Sequence, residues 1–494
     1  MSISKKTIII FDNTYASLPE IFYQTINPSP VKDPKLIVFN KKLGKELGLN
    51  IKKDNNFYTE IFSGNTVPNG ASPIAQRYAG HQFGNFVPQL GDGRAILLGE
   101  VITKNDNRFD IQLKGSGKTE FSRGGDGRSA LGPVIREYLI SEAMHILNIP
   151  TTRALSAVAT GEQVYRETPL PGGILTRVAR SHLRVGTFEY FASRQLSDEL
   201  KIIADYAINR HYPKANESDN TYLSFLDLFA KKQASLIAKW MGVGFIHGVM
   251  NTDNTSISGE TIDYGPCAFM DNYDPSTVFS SIDRHGRYAF GNQPQIAQWN
   301  LASLAGCLVP LIDNNEDKAK KSVSKIIDSF SEIVNSDISD VMCSKIGLNS
   351  KDKKSQESLK NLLTLMKNNE VDYTLAFHFL SDYLEHNNNT SFKLLFDDEV
   401  LIKEWLNRWM ELINTRDKTK KNIVKSMKEM NPIYIPRNHL IERAIKAGVT
   451  DGDFSVMLNL SSVLEHPYTL QDIHPDYMNP PEPSERVLQT FCGT

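Results

Sequence analysis

The residues best equipped for chemistry sit in HGVMNTDN (247–254) and in the DYG that follows at 263–265. Asn254 and Asp263 supply hard oxygen ligands of the kind magnesium or manganese takes, with phosphate oxygens and waters completing the shell. Asp253, directly before Asn254, is the one acid in that loop and so its candidate for taking a proton from an acceptor hydroxyl. Adjacent side chains in a loop can turn different ways, one toward the acceptor and one toward the metal. The plain alternative is an Asx-rich turn ahead of a strand ending in Asp-Tyr-Gly.

The order of these residues follows a phosphotransfer frame. A protein-kinase catalytic loop reads H-R-D-x-x-x-x-N and is followed by D-F-G; its first Asp orients the acceptor hydroxyl, while the Asn and the last Asp hold magnesium. His247 and Asn254 fit that frame, but the base position is Val249. No carboxylate stands where a kinase keeps one, which leaves Asp253 as the substitute.

Phosphate-binding candidates lie upstream. IQLKGSGKT (111–119) ends like a P-loop, yet the glycine that pattern needs five residues before Gly117 is Gln112, so the backbone cradle is not specified. Lys114 reads better as a strand-end lysine that reaches phosphates from a rigid base, with Glu137 on the next helix as its partner. GDGR (91–94) and GGDGR (124–128) flank that strand and offer glycines for close backbone approach, with Arg94 and Arg128 as bidentate phosphate ligands. Arg177, Arg180 and Arg184 form a third basic group suited to clamping a polyphosphate. The plain alternatives are a surface ion pair, tight turns and solvated arginines. His182, between the arginines, reads as structural.

The elements that must position these residues are legible from pattern. RAILLGEV (94–101) and FDIQLK (109–114) read as a hairpin with NDN (105–107) as its turn. GPVIREYLISEAMHIL (132–147) has apolar residues at a period of four, Pro133 near its start and Pro150 beyond it, and so predicts a helix. TRALSAVAT and GGILTRVA read as strands, and 223–244 as a long helix with Gly242 and Gly244 as C-cap candidates. A mostly helical region is expected over about 295–430, where the lysine-rich runs are solvated helix faces. The Pro-rich tail from 466 is expected to run extended over the surface.

Bulk composition excludes several classes. With 494 residues, 40% hydrophobic and 23% charged, the chain is long enough for a two-lobed catalytic unit with extensions and is neither disordered nor fibrous. A net charge of -2 provides no basic field for a nucleic-acid backbone. Apolar runs such as IIIF fall short of the roughly 20 residues that span a bilayer, and the start carries no cleavage site. Cys267, Cys307, Cys343 and Cys492 show no CxxC spacing, so neither a disulfide framework nor a structural zinc site is expected, and a reducing cytoplasm fits. Cys492, near the C-terminus, is expected to be exposed, as a reactive or a passive thiol.

Three long motifs carry a family resemblance. YAGHQFGNFVPQLGDGRAILLGE, IQLKGSGKTEFSRGGDGRSALGPVIREYLISEAM and HGVMNTDNTSISGETIDYGPCAFMD resemble the SelO/YdiU family of pseudokinase-fold protein adenylyltransferases, over nearly the whole chain. The resemblance implies ATP flipped relative to a kinase, so that AMP passes to Ser, Thr or Tyr hydroxyls of proteins. By it Gly91, Gly93, Arg94, Lys114, Asp126, Gly127, Arg177, Arg184 and Asp263 bind nucleotide. Asp253 is the base, Asn254 and Asp263 hold Mg2+ or Mn2+, and Glu137 pairs with Lys114. Many members end in a C-x-x-C or C-x-x-U redox pair; here Gln489 stands three before Cys492, so a tail disulfide of that spacing cannot form.

The expected fold class is α+β, a bilobal protein-kinase-like fold with a mainly helical C-terminal extension. Its expected divisions are an N-terminal extension (1–75), an N-lobe (76–195), a C-lobe (196–330) and a helical region with an extended tail (331–494). The expected partners are protein substrates, with no nucleic acid and no membrane, and the chain is expected to be a monomer. Ordinary phosphoryl transfer, UMP transfer with manganese and an inactive nucleotide-binding scaffold are the competing readings; Val249 at the base position favours the last.

Overall fold

Strand-forming sequence is concentrated before residue 180, and helices dominate after it. The computed structural model describes residues 9–50, 54–386 and 390–491, and its fold is α+β. The main sheet has eight strands, antiparallel in every pairing. From one edge they run Tyr23–Thr25, Ile74–Gln76, Ala95–Ile102, Arg108–Lys114, Pro169–Ala179, Arg153–Tyr165 and Lys35–Phe39, with Ser129–Ala130 added beside Pro169–Ala179. The expected hairpin is Ala95–Ile102 with Arg108–Lys114, and Asp106 in its turn takes the left-handed conformation that Asp tolerates.

Side chains alternate across a strand, so each face of the sheet builds its own core. Ile111, Leu113, Ile174 and Val178 pack on one face against Leu43, Tyr58 and Phe62 of the N-terminal helices. Leu97, Ala154 and Leu175 pack on the other against Val134, Ile135 and Leu139 of helix Leu131–Ile146. Each fully buried Leu, Ile, Val or Phe among them contributes roughly 1.5–3 kcal/mol. The sheet is therefore held rigid from both sides where Lys114 and Arg177 must stand.

The long helix Thr221–Val243 is capped by Asn220, whose side chain accepts from Leu223 N, and by left-handed Gly244. Helices Gln293–Ile312 and Glu316–Lys345 pack with it. By length and apolar composition the stretch Phe290–Ile312 passes for a membrane span, a pattern the run-length reading of the sequence passed over. Here it is a core helix: Ile296, Leu301, Leu304 and Leu308 belong to the main buried cluster.

Helices continue past residue 430 to Leu464, just ahead of the tail. From this region Asn438 brackets the short strand Ala268–Phe269, accepting from Phe269 N at 3.1 Å and donating to Phe269 O at 2.8 Å. Fully buried Arg437 bonds Asp271 and Asp372, each at 2.9 Å. The tail is exposed at Leu488 and Phe491, as expected, but it is anchored at Thr490, which donates to Phe279 O at 2.7 Å and to Pro266 O. Cys267, Cys307 and Cys343 are buried thiols, and Cys492 lies outside the described residues.

Candidate nucleotide and metal site

Lys114 ends its strand, and Arg177 lies on the neighbouring strand opposite Gln112, so the three share one face. Helix Leu131–Ile146 covers that face and delivers Glu137. Its carboxylate divides between two cations: Oε2 accepts from Lys114 Nζ at 2.6 Å and Oε1 from Arg177 Nε at 2.7 Å. Asp263 Oδ1 accepts from Lys114 Nζ at 3.0 Å and lies 3.4 Å from Arg177 Nη2. Burial pushes both carboxyls up, but Arg177 and Lys114 outweigh it for Glu137. For Asp263, Lys114, Arg177 and Arg94 hold the carboxyl well below the ordinary range. Asp263 sits at φ +65°, a left-handed conformation uncommon outside glycine, at a turn where Gly265 N bonds Asp263 O at 2.9 Å.

Asp253 meets different surroundings. It lies in the 3₁₀ turn Thr252–Asn254, only 7% exposed. Gln82 Nε2 donates to Oδ2 at 3.1 Å and Arg184 Nη1 to the backbone carbonyl at 2.7 Å, while Oδ1 is buried without a hydrogen-bond partner. Burial pushes this carboxyl up to about 6, against the opposing pull of Gln82 and Arg184. Asn254 Nδ2 donates to Val249 O at 3.0 Å, which leaves its amide oxygen as the accepting end. His247 stays out of this chemistry. Its Nδ1 accepts from Val249 N at 3.3 Å, its Nε2 bonds Ile262 O at 2.9 Å, and its ring stacks on Trp240, so it braces the chain on either side.

A small hairpin, Gly80–Gln82 with Asn85–Val87, docks on this turn. His81 N donates to Thr252 Oγ1 at 2.7 Å, and Phe83 N to Asn251 Oδ1 at 3.0 Å. Glu189 joins both sides, bonding His81 Nδ1 at 2.6 Å and Thr252 Oγ1 at 2.5 Å. The approach is so close that a Cβ on Gly80 would come within 2.7 Å of Asp253 Oδ1. Gln82, His81 and Glu189 were not singled out from the sequence. The available signal was HQFGN, where Phe83 and Gly84 both take positive φ as a two-residue hairpin turn requires.

The remaining candidates divide. Arg184 is buried, with its guanidinium 4.6 Å from the Tyr78 ring centroid and 3.6 Å from Asp92 Oδ1, and its charge acts on both Asp253 and Asp263. Arg94 acts on Asp263 by charge. Asp92, also missed, is a buried hub that accepts from Gln76 N at 3.2 Å and from Gln112 Nε2 at 3.1 Å, which ties the GDGR loop to the sheet. A Cβ at Gly91 would strike the Phe121 ring, one at Gly93 the Phe121 carbonyl, and one at Gly127 the Gly117 carbonyl. Packing of loop on loop therefore already accounts for these glycines.

Asp126 bonds Arg166 at 2.9 Å and Arg128 N at 2.9 Å. Arg128 bonds the carbonyls of Ser29 and Pro30 at 3.0 and 2.9 Å. None of these contacts joins the Lys114 cluster. The arginine group also splits: Arg177 and Arg184 are buried at the site, whereas exposed Arg180 follows the end of the strand and its carbonyl accepts from Arg210 at 2.5 Å. The P-loop reading fails in three dimensions, because an irregular segment with a bridge from Ser116 to Arg128, not a helix, follows Lys114.

The donor set fits a hard divalent ion. Among the described residues no three His, Cys, Asp or Glu side chains lie close enough to hold a metal by themselves. The Asn254 amide oxygen and the Asp263 carboxylate are hard donors that suit a cation completing its shell with phosphate oxygens, not a zinc cage.

Comparison with known proteins assigns the chain to the nucleotidyltransferases. The family model described as protein adenylyltransferase SelO matches residues 6–465, and the chain belongs to this family. A relative from Maridesulfovibrio salexigens is 54% identical over 488 residues, covering 99% of each chain. Relatives from Rhizobium rhizogenes and Rhizobium meliloti are 53% and 52% identical, covering 98% and 99% of this chain and 97% and 100% of their own. All three carry the name protein nucleotidyltransferase YdiU.

Proposed function

We propose that this chain transfers AMP from ATP to Ser, Thr or Tyr hydroxyls of proteins, on a bilobal kinase-like framework and with Mg2+ or Mn2+. The observation that carries the reading is the pairing of a charged base, Lys114–Glu137–Arg177–Asp263, with a buried carboxyl, Asp253, whose Oδ1 has no partner. Asp253 takes the hydroxyl proton, the hydroxyl oxygen bonds the α-phosphorus, the α–β bridging P–O bond breaks, and pyrophosphate leaves. Lys114, Arg177, Arg184 and Arg94 hold the polyphosphate and meet its charge. Asn254 and Asp263 would hold the metal, which supplies further neutralisation of phosphate charge. Gln82 orients Asp253.

The choice of AMP over phosphate is supported by the family description and not by the frame of His247, Asn254 and Asp263, which phosphoryl transfer shares. Labelled ATP and UTP offered in competition to a proteome, with Mg2+ or Mn2+, test the reading. The wild type labels proteins from the α-phosphate of ATP, and Asp253→Ala loses at least about a hundredfold, the weight of a positioned base. Labelling from the γ-phosphate, or equal labelling by the variant, contradicts it. A preference for UTP retains the chemistry and changes the donor.

A further inference from the structure

Beside the candidate site, at the Phe83–Asn85 tip of the Gly80–Val87 hairpin, lies an open groove of about 890 Å³. Its apolar surface comes from Phe83, Ile282 and Trp299, and its rim from Arg284, His285 and Arg287. It adjoins the turn that carries Asp253. Phe83 N bonds Asn251, Tyr288 OH bonds the same Asn251 oxygen at 2.6 Å, and the Trp299 ring lies 5.0 Å from that of His81. Ile282 is 54% exposed, and Arg284 and Arg287 near it make no ion pair among the described residues. The one acid in the lining, Asp283, is buried and spends both oxygens on the backbone of Arg287 and Tyr288, at 2.9 and 2.8 Å. The Arg287 guanidinium lies 5.0 Å from the Trp299 ring centroid and its buried Nε has no partner. A chain of net charge -2 thus presents a locally basic, aromatic-floored groove next to its candidate base.

We propose that this groove docks the acceptor protein through an extended segment with an aromatic or large apolar anchor flanked by acidic residues. Docking there places the modified hydroxyl toward Asp253. The proposal rests on the transfer reading above and names the kind of acceptor that reading requires. The apolar anchor takes the Trp299 and Ile282 surface, and the flanking carboxylates pair with Arg284 and Arg287.

The test uses two synthetic peptides with the same single tyrosine and aromatic anchor, one with Asp/Glu flanks and one with Lys/Arg flanks. Binding is read by fluorescence anisotropy without ATP, and AMP incorporation by steady-state kinetics. Two exposed rim pairings predict that the wild type favours the acidic peptide about tenfold, and at most about thirtyfold, through KM. Arg284→Glu with Arg287→Glu removes or reverses that preference in both assays while KM for ATP holds. Ile282→Asp weakens binding of the acidic peptide without changing the ATP step; Ile282 and Arg284 are exposed, and melting curves verify that each variant is folded. If the wild type transfers AMP but treats the peptides alike, or charge reversal leaves binding unchanged, the docking proposal is overturned and the transfer reading stands. If the wild type transfers AMP to no protein at all, both fall.

Discussion

Asp263 and Asp253 share a site and a desolvation penalty, yet their proton affinities diverge. Asp263 bonds Lys114, lies near Arg177 and is held well below the ordinary carboxylate range. Asp253 receives one amide donor on one oxygen and nothing on the other, and burial lifts it to about 6. Counter-charge decides the outcome, since burial pushes both the same way. A carboxylate that stays charged suits a metal, and one near the working pH suits a proton acceptor.

Breaking the charged half carries the largest expected effect. Asp263→Ala removes the proposed metal ligand and leaves Lys114 and Arg177 facing Glu137 alone, so the proposed AMP incorporation falls about a thousandfold or more. Undiminished incorporation in that variant refutes the metal role. A stability contrast follows. Lys114→Ala strips one of two cations from fully buried Glu137 and costs about 3 kcal/mol in denaturant melts. Asp253→Asn removes a charge that burial disfavours and that no side-chain cation bonds, so the melting temperature at pH 7 holds or rises. Equal losses in the two variants would erase the distinction between the halves.

The smallest effect concerns a third acid, Glu260, which burial lifts to about 7 while Ser258 Oγ and Arg180 N donate to it. Between its ordinary 4.5 and about 7 the folded chain keeps a proton that the unfolded chain has released. Stability therefore falls as pH rises through that window. Glu260→Gln keeps both hydrogen bonds and removes that loss, and gains on the order of 1–3 kcal/mol at pH 8 but little at pH 4.5. Thermal melts at the two pH values measure it, and a pH-independent difference would assign the effect to packing.

Local pattern carried much of the molecule. Alternation and helical period located the Ala95–Lys114 hairpin and helix Leu131–Ile146, and from these the Lys114–Glu137 pair was legible, because a strand end and the next helix fix its geometry. What depends on long-range contact was not. Gln82 reaches Asp253 across 171 positions, and Arg437 and Asn438 reach back to Asp271 and Phe269 from the C-terminal helices. Sequence proximity also misled: Arg177, Arg180 and Arg184 read as one cluster, but the strand ends between the first two and sends Arg180 to the surface. Arg128 and Asp126, read as ligands of phosphate and nucleotide, have backbone and ion-pair partners of their own.

The central claim is that the site moves a nucleotide, not a phosphate, to a protein. Intact-protein mass spectrometry of an acceptor incubated with ATP, metal and wild-type chain tests it most directly, with Asp253→Ala as control. The account predicts a mass gain matching AMP, with pyrophosphate as co-product, that is lost in the control. A gain matching phosphate, with ADP as co-product, would contradict it.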